Sequence, residues 1–290
     1  MNVKVTDVRE HPGDAAFLLD DGKTAVLFDT GFGFTGFAIA EKVKKALNGR
    51  SLDYIFLTHS HYDHALGAPY AKKYWPNARV VAGEYAARIF AKDSAKAVMR
   101  KLDREFATTC GVGEYEDLID DLSVDIPVAD GDTVKAGDME FTVVALPGHT
   151  KCSVGFYLAS EKLLLACETL GVYDGDKTIM PSYLVGVGMA LESIEKAKKL
   201  DIEYILAPHF GILNAEQSAF YFANMEKSAR ETAEELVAIL KNGSKEEAFA
   251  HYEKKFYHGK IKEGYPRGAM ELNASIIISL IEREFLTPAE

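Results

Sequence analysis

The apolar positions of the first two hundred residues fall in short runs separated by turn residues. Ala15-Ala16-Phe17-Leu18-Leu19 and Ala25-Val26-Leu27-Phe28 flank Asp20-Asp21-Gly22-Lys23, which predicts a β-hairpin whose second strand ends at Asp29-Thr30-Gly31. A helix is expected over 37–47, because Ala40, Val43 and Leu47 share one face and Asn48-Gly49 stops it. Further apolar runs predict strands at 54–57, 79–82, 139–146, 153–158, 163–167 and 204–207, with a helix near 185–199. Two β-rich stretches with helices at intervals predict two sheets packed face to face, each covered outside by helices.

After His209 the pattern changes. Asn214-Ala215-Glu216-Gln217 and Ser244-Lys245-Glu246-Glu247 both read as capping boxes that open helices. A further helix over 268–285 places Met270, Ile277, Ile278, Ile281 and Phe285 on one side. The expected organisation is a catalytic body over 1–212 and a helical extension over 213–290 docked on it without a flexible linker.

Composition narrows the function. A chain of 290 residues, 48% hydrophobic and 27% charged, can bury one large core, or one core plus an appendage. A net charge of −11 leaves no basic field for nucleic acid or an anionic membrane, so neither is expected as a partner. Three cysteines, Cys110, Cys152 and Cys167, do not make a disulfide framework. The first residues lack the apolar core of a signal peptide, and no run is long enough to cross a membrane, so a cytoplasmic location is expected.

The chemistry concentrates at Thr58-His59-Ser60-His61-Tyr62-Asp63-His64, directly after the strand at 54–57. In a chain with eight histidines, chance produces this H-x-H-x-D-H pattern on the order of once in a few thousand sequences, so a metal site is the working reading. A transition-metal site draws neutral imidazoles and carboxylates from distant parts of a chain. His149, in Leu146-Pro147-Gly148-His149-Thr150, and His209, in Ala207-Pro208-His209, sit on loops at strand ends and are the natural partners. His11, His251 and His258 lack such context and read as ordinary packing or surface residues.

Over residues 1–212 the chain resembles the metallo-β-lactamase superfamily. The resemblance rests on Asp29-Thr30-Gly31, the histidine cluster, Pro147-Gly148-His149-Thr150, a carboxylate after the next hairpin, and the late His209. It implies a four-layer αββα sandwich with a C-terminal helical extension. It also implies two divalent metal ions, zinc in the first instance, with manganese or iron as the other candidates. One ion would be held by His59, His61 and His149, the other by Asp63, His64 and His209. A bridging aspartate is usual in the family; here Glu168 stands in its place, one methylene longer. Strand alternation would aim the neighbouring Cys167 into the core. Asp29 is expected as a hydrogen-bond partner that orients a ligand.

The function so implied is hydrolysis of a small ester, thioester or lactone by a hydroxide between two metals. Asp63 would also accept a hydrogen bond from the attacking water, and Tyr173 or Tyr183 would protonate the leaving group. The competing readings are an iron-dependent oxygen or sulfur redox enzyme on the same fold, and a non-enzymatic metal-stabilised regulator. The expected partner is a small-molecule substrate, with contacts for it or for a homodimer supplied by the extension. Arg88, Lys92, Lys96, Arg100 and Arg104 recur every four residues but spiral around a helix, so they read chiefly as a solvated face opposite Ala91, Ala95, Val98, Leu102 and Phe106. Phe32, Phe34 and Phe37 suit core packing at least as well as a substrate pocket.

Overall fold

The computed structural model describes residues 1–287. Two six-stranded sheets lie at its centre. In the first, Lys4–Asp7, Phe17–Asp20 and Ala25–Phe28 pair antiparallel, and Ala25–Phe28, Tyr54–Leu57, Arg79–Gly83 and Ile126–Val128 continue in parallel. In the second, the order runs Gly211–Leu213, Tyr204–Ala207, Leu163–Leu165, Val154–Leu158, Met139–Ala145 and Thr133–Ala136.

Strand alternation divides the side chains into layers. Phe28, Phe56 and Val81 from the first sheet meet Phe141, Phe156, Leu165 and Leu206 from the second, forming the central core. Their sequence neighbours Leu27, Ile55 and Val80 face the other way, onto Ile39, Val43 and Leu47 of the helix Gly36–Leu47. On the far side, Val144, Leu164 and Ile205 pack against Val187–Ala197 and the C-terminal helices. Three apolar interfaces therefore separate four layers, helix, sheet, sheet and helix, as expected.

Four strands of the two large sheets escape the sequence pattern, Lys4–Asp7, Ile126–Val128, Gly211–Leu213 and Thr133–Ala136, and they are the four edges of those sheets; the small pair Val172–Tyr173 and Ile179–Met180 escapes it too. An edge strand buries less and so carries a weaker apolar signal. The short helices Tyr62–Ala65 and Ala68–Tyr74 are also absent from the sequence reading, because the histidine cluster interrupts any helical period there.

Both predicted capping boxes form: Asn214 accepts from the Gln217 amide at 2.9 Å, and Ser244 from the Glu247 amide at 3.2 Å. They open the helices Ala215–Asn242 and Lys245–Phe256. The expected boundary at 212 falls inside the strand Gly211–Leu213, and the chain passes from that strand to the helix through Asn214 alone. Hydroxyls then tie the helices to the body: Tyr221 donates to the Gly171 carbonyl and Tyr252 to that of Pro181, each at 2.6 Å. Among the described residues, no helix is long and apolar enough to cross a membrane.

The segment bearing the basic residues forms two helices, Glu84–Phe90 and Asp93–Thr109, broken at Ala91-Lys92. Its cations are not simply solvated: Arg100 and Arg104 pair with Asp117 at 2.6 and 2.8 Å, and Lys96 donates to the Asp120 carbonyl. Nor is the apolar row a core face. Met99, Asp103 and Ala107 are buried, whereas Val98 is exposed and Leu102 and Phe106 only half-buried.

Asp103 holds this second helix to the loop after Asp29. Its carboxylate accepts from the Gly33 amide at 3.0 Å and from the Tyr115 hydroxyl, with Tyr70 and the Asp117–Arg100 pair nearby. Burial pushes its pKa up to about 6, against the hydrogen bonds from Tyr115 and the amides. A pKa raised by folding favours the folded state while the group is protonated. The contribution is complete below about pH 4 and is lost as pH climbs through 6, a span worth on the order of 3 kcal/mol. Asn keeps the acceptor and cannot ionise. Asp103→Asn should therefore flatten the pH dependence of urea-unfolding stability between pH 4 and 7 and raise stability at pH 7.5.

Gly67 fixes how the helices after the histidine cluster dock. Its amide donates to the Gly31 carbonyl at 3.3 Å, and an added Cβ would lie 1.9 Å from the Thr30 carbonyl oxygen. Gly67→Ala should cost about 3 kcal/mol of unfolding free energy, the upper end of overpacking effects, read from urea midpoints.

Candidate functional site

Strand direction explains why distant residues converge. Ala25–Phe28 and Tyr54–Leu57 run parallel, as do Leu163–Leu165 and Tyr204–Ala207, and Met139–Ala145 runs the same way as the latter pair across the antiparallel Val154–Leu158. Each strand thus releases its chain at the same edge, delivering Asp29, His59, Glu168, His209 and His149 in turn. The sheets are joined there by the Val154 amide, which donates to the Thr58 carbonyl at 2.9 Å.

Donor atoms gather in three groups, each with its atoms within 4.8 Å of one another: His59, His61 and His149; Asp63, His64 and His209; and His59, His64 and Glu168. The third takes one histidine from each of the other two, so Glu168 lies between them. All seven expected metal-site residues therefore come together.

The hydrogen bonds around the rings decide which nitrogens are free. His149 Nδ1 lies 2.7 Å from the Ser182 carbonyl, which can only accept, so the proton sits on Nδ1 and the Nε2 lone pair is bare. That lone pair faces His61 Nδ1 at 3.0 Å. His64 Nδ1 lies 2.8 Å from Asp29 Oδ2, leaving its Nε2 pointed at Glu168 Oε1, 2.6 Å away but outside hydrogen-bonding geometry. His59 Nε2 and Glu168 Oε2 are buried with no partner. Such orphaned, mutually facing donors match what a divalent cation requires.

Charge points the same way. Burial would raise Glu168, but His64 and His59 outweigh it and hold the carboxyl well below its ordinary range. Burial would lower His64, but Glu168, Asp29 and Asp63 outweigh that and hold it well above 6.5. Burial pushes His61 and His149 down to about 4, leaving both neutral and able to donate lone pairs at pH 7. Three carboxylates thus call for positive charge, which a protonated His64 supplies unless a cation takes its place, beside the neutral imidazoles of His61 and His149.

Asp29 orients this core, as expected. Besides His64, it accepts from the Thr58 amide at 2.8 Å and from the Thr58 hydroxyl at 2.9 Å, and burial pushes its pKa up. Asp29 and His209 both adopt left-handed backbone conformations, with φ of 51° and 59°. Arg9 holds His209 in place by donating to its carbonyl oxygen. Cys167 is fully buried in the outer core, as its place in the strand predicts, and burial pushes its thiol up to about 12.

Two expectations need correcting. Tyr183 is 1% exposed, with its hydroxyl 3.5 Å from the Ala229 carbonyl among the C-terminal helices. Tyr173 donates to the Asp176 carbonyl at 3.0 Å and stacks on Tyr221. Neither hydroxyl faces the donor groups, so neither suits leaving-group protonation. Phe32, likewise, is core: it packs on Phe34, Tyr62 and Phe106 behind the site.

Two tyrosines line the hollow at the site: Tyr62, which packs on Phe32, and Tyr265, from the loop before the helix Arg267–Phe285. Tyr265 is the one beside His209. Its ring meets His209 edge-on at 6.1 Å and its hydroxyl receives the Asn273 amide. Burial, then Asp63 and Glu168, raise its pKa, so the phenol stays protonated. Its sequence signal was limited to aromatic content in the extension. It stands between two hollows. One, of about 340 Å³, opens on His61, Asp63, Glu168 and His209. The other, of about 260 Å³, contains Arg9, Tyr173, Phe210 and Lys260. The remaining histidines are ordinary: His11 packs on Phe106, His251 pairs with Glu235, and His258 contacts the Lys255 carbonyl.

Comparison with solved structures supports the fold. A metallo-beta-lactamase family protein from Thermus thermophilus superposes with a TM-score of 0.63 at 20% identity, over 95% of this chain and 90% of that one. An archaeal superfamily protein from Sulfolobus tokodaii gives 0.54 at 18% identity, over 77% and 82%. Among sequence relatives, a hydroxyacylglutathione hydrolase from Bradyrhizobium is 28% identical over 42% of this chain and 36% of its own length. An acyl-coenzyme A thioesterase from Homo sapiens is 26% identical over 55% and 57%. The chain thus matches between about a third and three fifths of these relatives' lengths. The family model for the metallo-beta-lactamase superfamily matches residues 13–209, which carry every donor of the three groups, and the chain belongs to that superfamily.

Proposed function

We propose that this protein is a dinuclear metal-dependent hydrolase of thioesters or closely related small esters. The observation that carries the reading is the seven-residue donor set, with Glu168 grouped with one histidine from each of the other two groups and the Nε2 lone pair of His149 facing inward. His59, His61 and His149 would hold one cation, Asp63, His64 and His209 the second, and Glu168 would bridge. Zinc is the first candidate, because imidazole and carboxylate donors in a site with open positions suit it. Bound there, the cations would make water acidic enough to ionise near neutral pH and would polarise the scissile carbonyl.

The chain's own residues supply the rest. Asp29 holds His64 in the tautomer that leaves Nε2 free. The Ser182 carbonyl does the same for His149. Asp63, with its side chain 15% exposed, is one of the donors open to the cavity and would accept a hydrogen bond from the attacking water. Tyr265, kept protonated by burial and two nearby carboxylates, would donate a hydrogen bond to the leaving sulfur or oxygen as charge develops on it. The thioester preference draws on the relatives' named activities, a hydroxyacylglutathione hydrolase and an acyl-coenzyme A thioesterase.

Metal analysis should find two equivalents per chain, and chelation should abolish thioesterase activity that zinc or manganese restores. Metal-replete protein inert on thioester, ester and lactone panels would sink the reading, and oxygen uptake by iron-loaded protein would replace it with the redox alternative. Asp29→Asn should weaken metal affinity by about 10- to 100-fold, measured by chelator competition, with the fold intact by circular dichroism. Tyr265→Phe should lower kcat by about 100-fold with metal content and KM little changed, and most for substrates with poor leaving groups.

A further inference from the structure

The larger hollow beside the donor groups has a composition that their chemistry does not explain. One wall is the helix Asp93–Thr109, which contributes Leu102 and Phe106; the facing wall is the start of Arg267–Phe285, which contributes Ala269 and Leu272. Leu102 and Phe106 are four residues apart, and Ala269 and Leu272 three, so each pair lies along one helix face. The two faces look at each other across a space of about 340 Å³. Leu272 is 49% exposed, and Leu102 and Phe106 stay half-buried on a helix whose own buried residues are Met99, Asp103 and Ala107. Apolar side chains held around a vacant groove that ends at a reaction centre describe a binding site for an apolar group.

The polar groups on the same walls are already engaged. Arg267 pairs with Glu253 and Glu271, each at 2.7 Å, and Asn273 donates to Tyr265. Glu105 adds another carboxylate to those of Asp63 and Glu168. An anionic acyl group would find no spare cation among the described lining residues. The smaller hollow beyond Tyr265 is different: the Lys260 ammonium lies 5.2 Å over the Phe210 ring, with Glu263 also on the lining, while Arg9 there is engaged by Asp7 and the His209 carbonyl. A polar leaving group belongs on that side, next to the proton of Tyr265.

We infer that the acyl group of the substrate is an uncharged hydrocarbon chain received between the helices Asp93–Thr109 and Arg267–Phe285, and that Leu102, Phe106 and Leu272 set the chain length accepted. The inference rests on the proposed thioester hydrolysis and adds the substrate's acyl class to it.

The test uses metal-replete protein and N-acetylcysteamine thioesters with acyl chains from acetyl to dodecanoyl. kcat/KM should rise about three- to fourfold per added methylene until the groove is full, then level or fall. Leu272→Trp and, separately, Leu102→Trp should reduce the octanoyl-to-acetyl ratio at least tenfold through KM, whereas Val98→Trp, on the exposed side of the same helix, should leave the ratio unchanged. A flat length dependence in an active enzyme, or tryptophan variants that leave the ratio unchanged, would overturn the groove while sparing the hydrolase reading. A parallel titration with ketone analogues, in which a methylene replaces sulfur, reads the groove without catalysis. Tighter binding of the octanoyl than the acetyl analogue, lost in Leu272→Trp, would support the groove even if no thioester were cleaved; equal binding of both analogues would overturn it.

Discussion

A carboxylate shut away from water must be met by positive charge or give up its own, and Glu168 imposes that condition on this protein. It is 1% exposed, at the end of a strand whose three residues are all buried leucines. The cost of an uncompensated charge there is several kcal/mol. Three histidines from two separate chain segments, His59, His64 and His209, surround it, and its pKa is held down only because they do. Asp29 and Thr58 hold His64, and the parallel strands bring Asp29 and Thr58 to the same edge. Layer, strand direction and hydrogen bonding all serve one requirement: to let a buried negative cluster exist among histidines.

How much of this could be read from the chain depended on whether the information was local. The strand Tyr54–Leu57 and the cluster after it are contiguous, so both strand and donor residues were legible. Both capping boxes are four-residue statements and formed as written. His149, Glu168 and His209 were legible because each follows a strongly apolar strand, and family resemblance supplied their order. The edge strands were not, since short segments such as Lys4–Asp7 and Thr133–Ala136 carry too few apolar positions to mark a strand.

Tyr265 and the groove belong to a different class. Their importance arises from packing between helices separated by more than 150 residues, and the sequence marks Tyr265 only as one of the aromatics Tyr252, Phe256, Tyr257 and Tyr265 of the extension. Tyr173 and Tyr183 lay near Glu168 in the chain and so drew attention, yet the small hairpin Val172–Tyr173 with Ile179–Met180 turns them toward the C-terminal helices. Proximity along the chain misled where a tight turn intervened. The same helices that capture those tyrosines also bring Tyr265 to the site, so this region both removes one set of hydroxyls and provides another.

The backbone at Asp29 and His209 carries a last consequence. Each sits in a left-handed conformation that costs a non-glycine residue about 1 kcal/mol, and each is held there by contacts from remote segments: Phe56 and Thr58 for Asp29, Arg9 for His209. Short fragments of this chain would not favour those turns. The reactive edge should therefore be assembled late in folding, after the sheets have paired, and should be the first part to loosen when the two sheets separate.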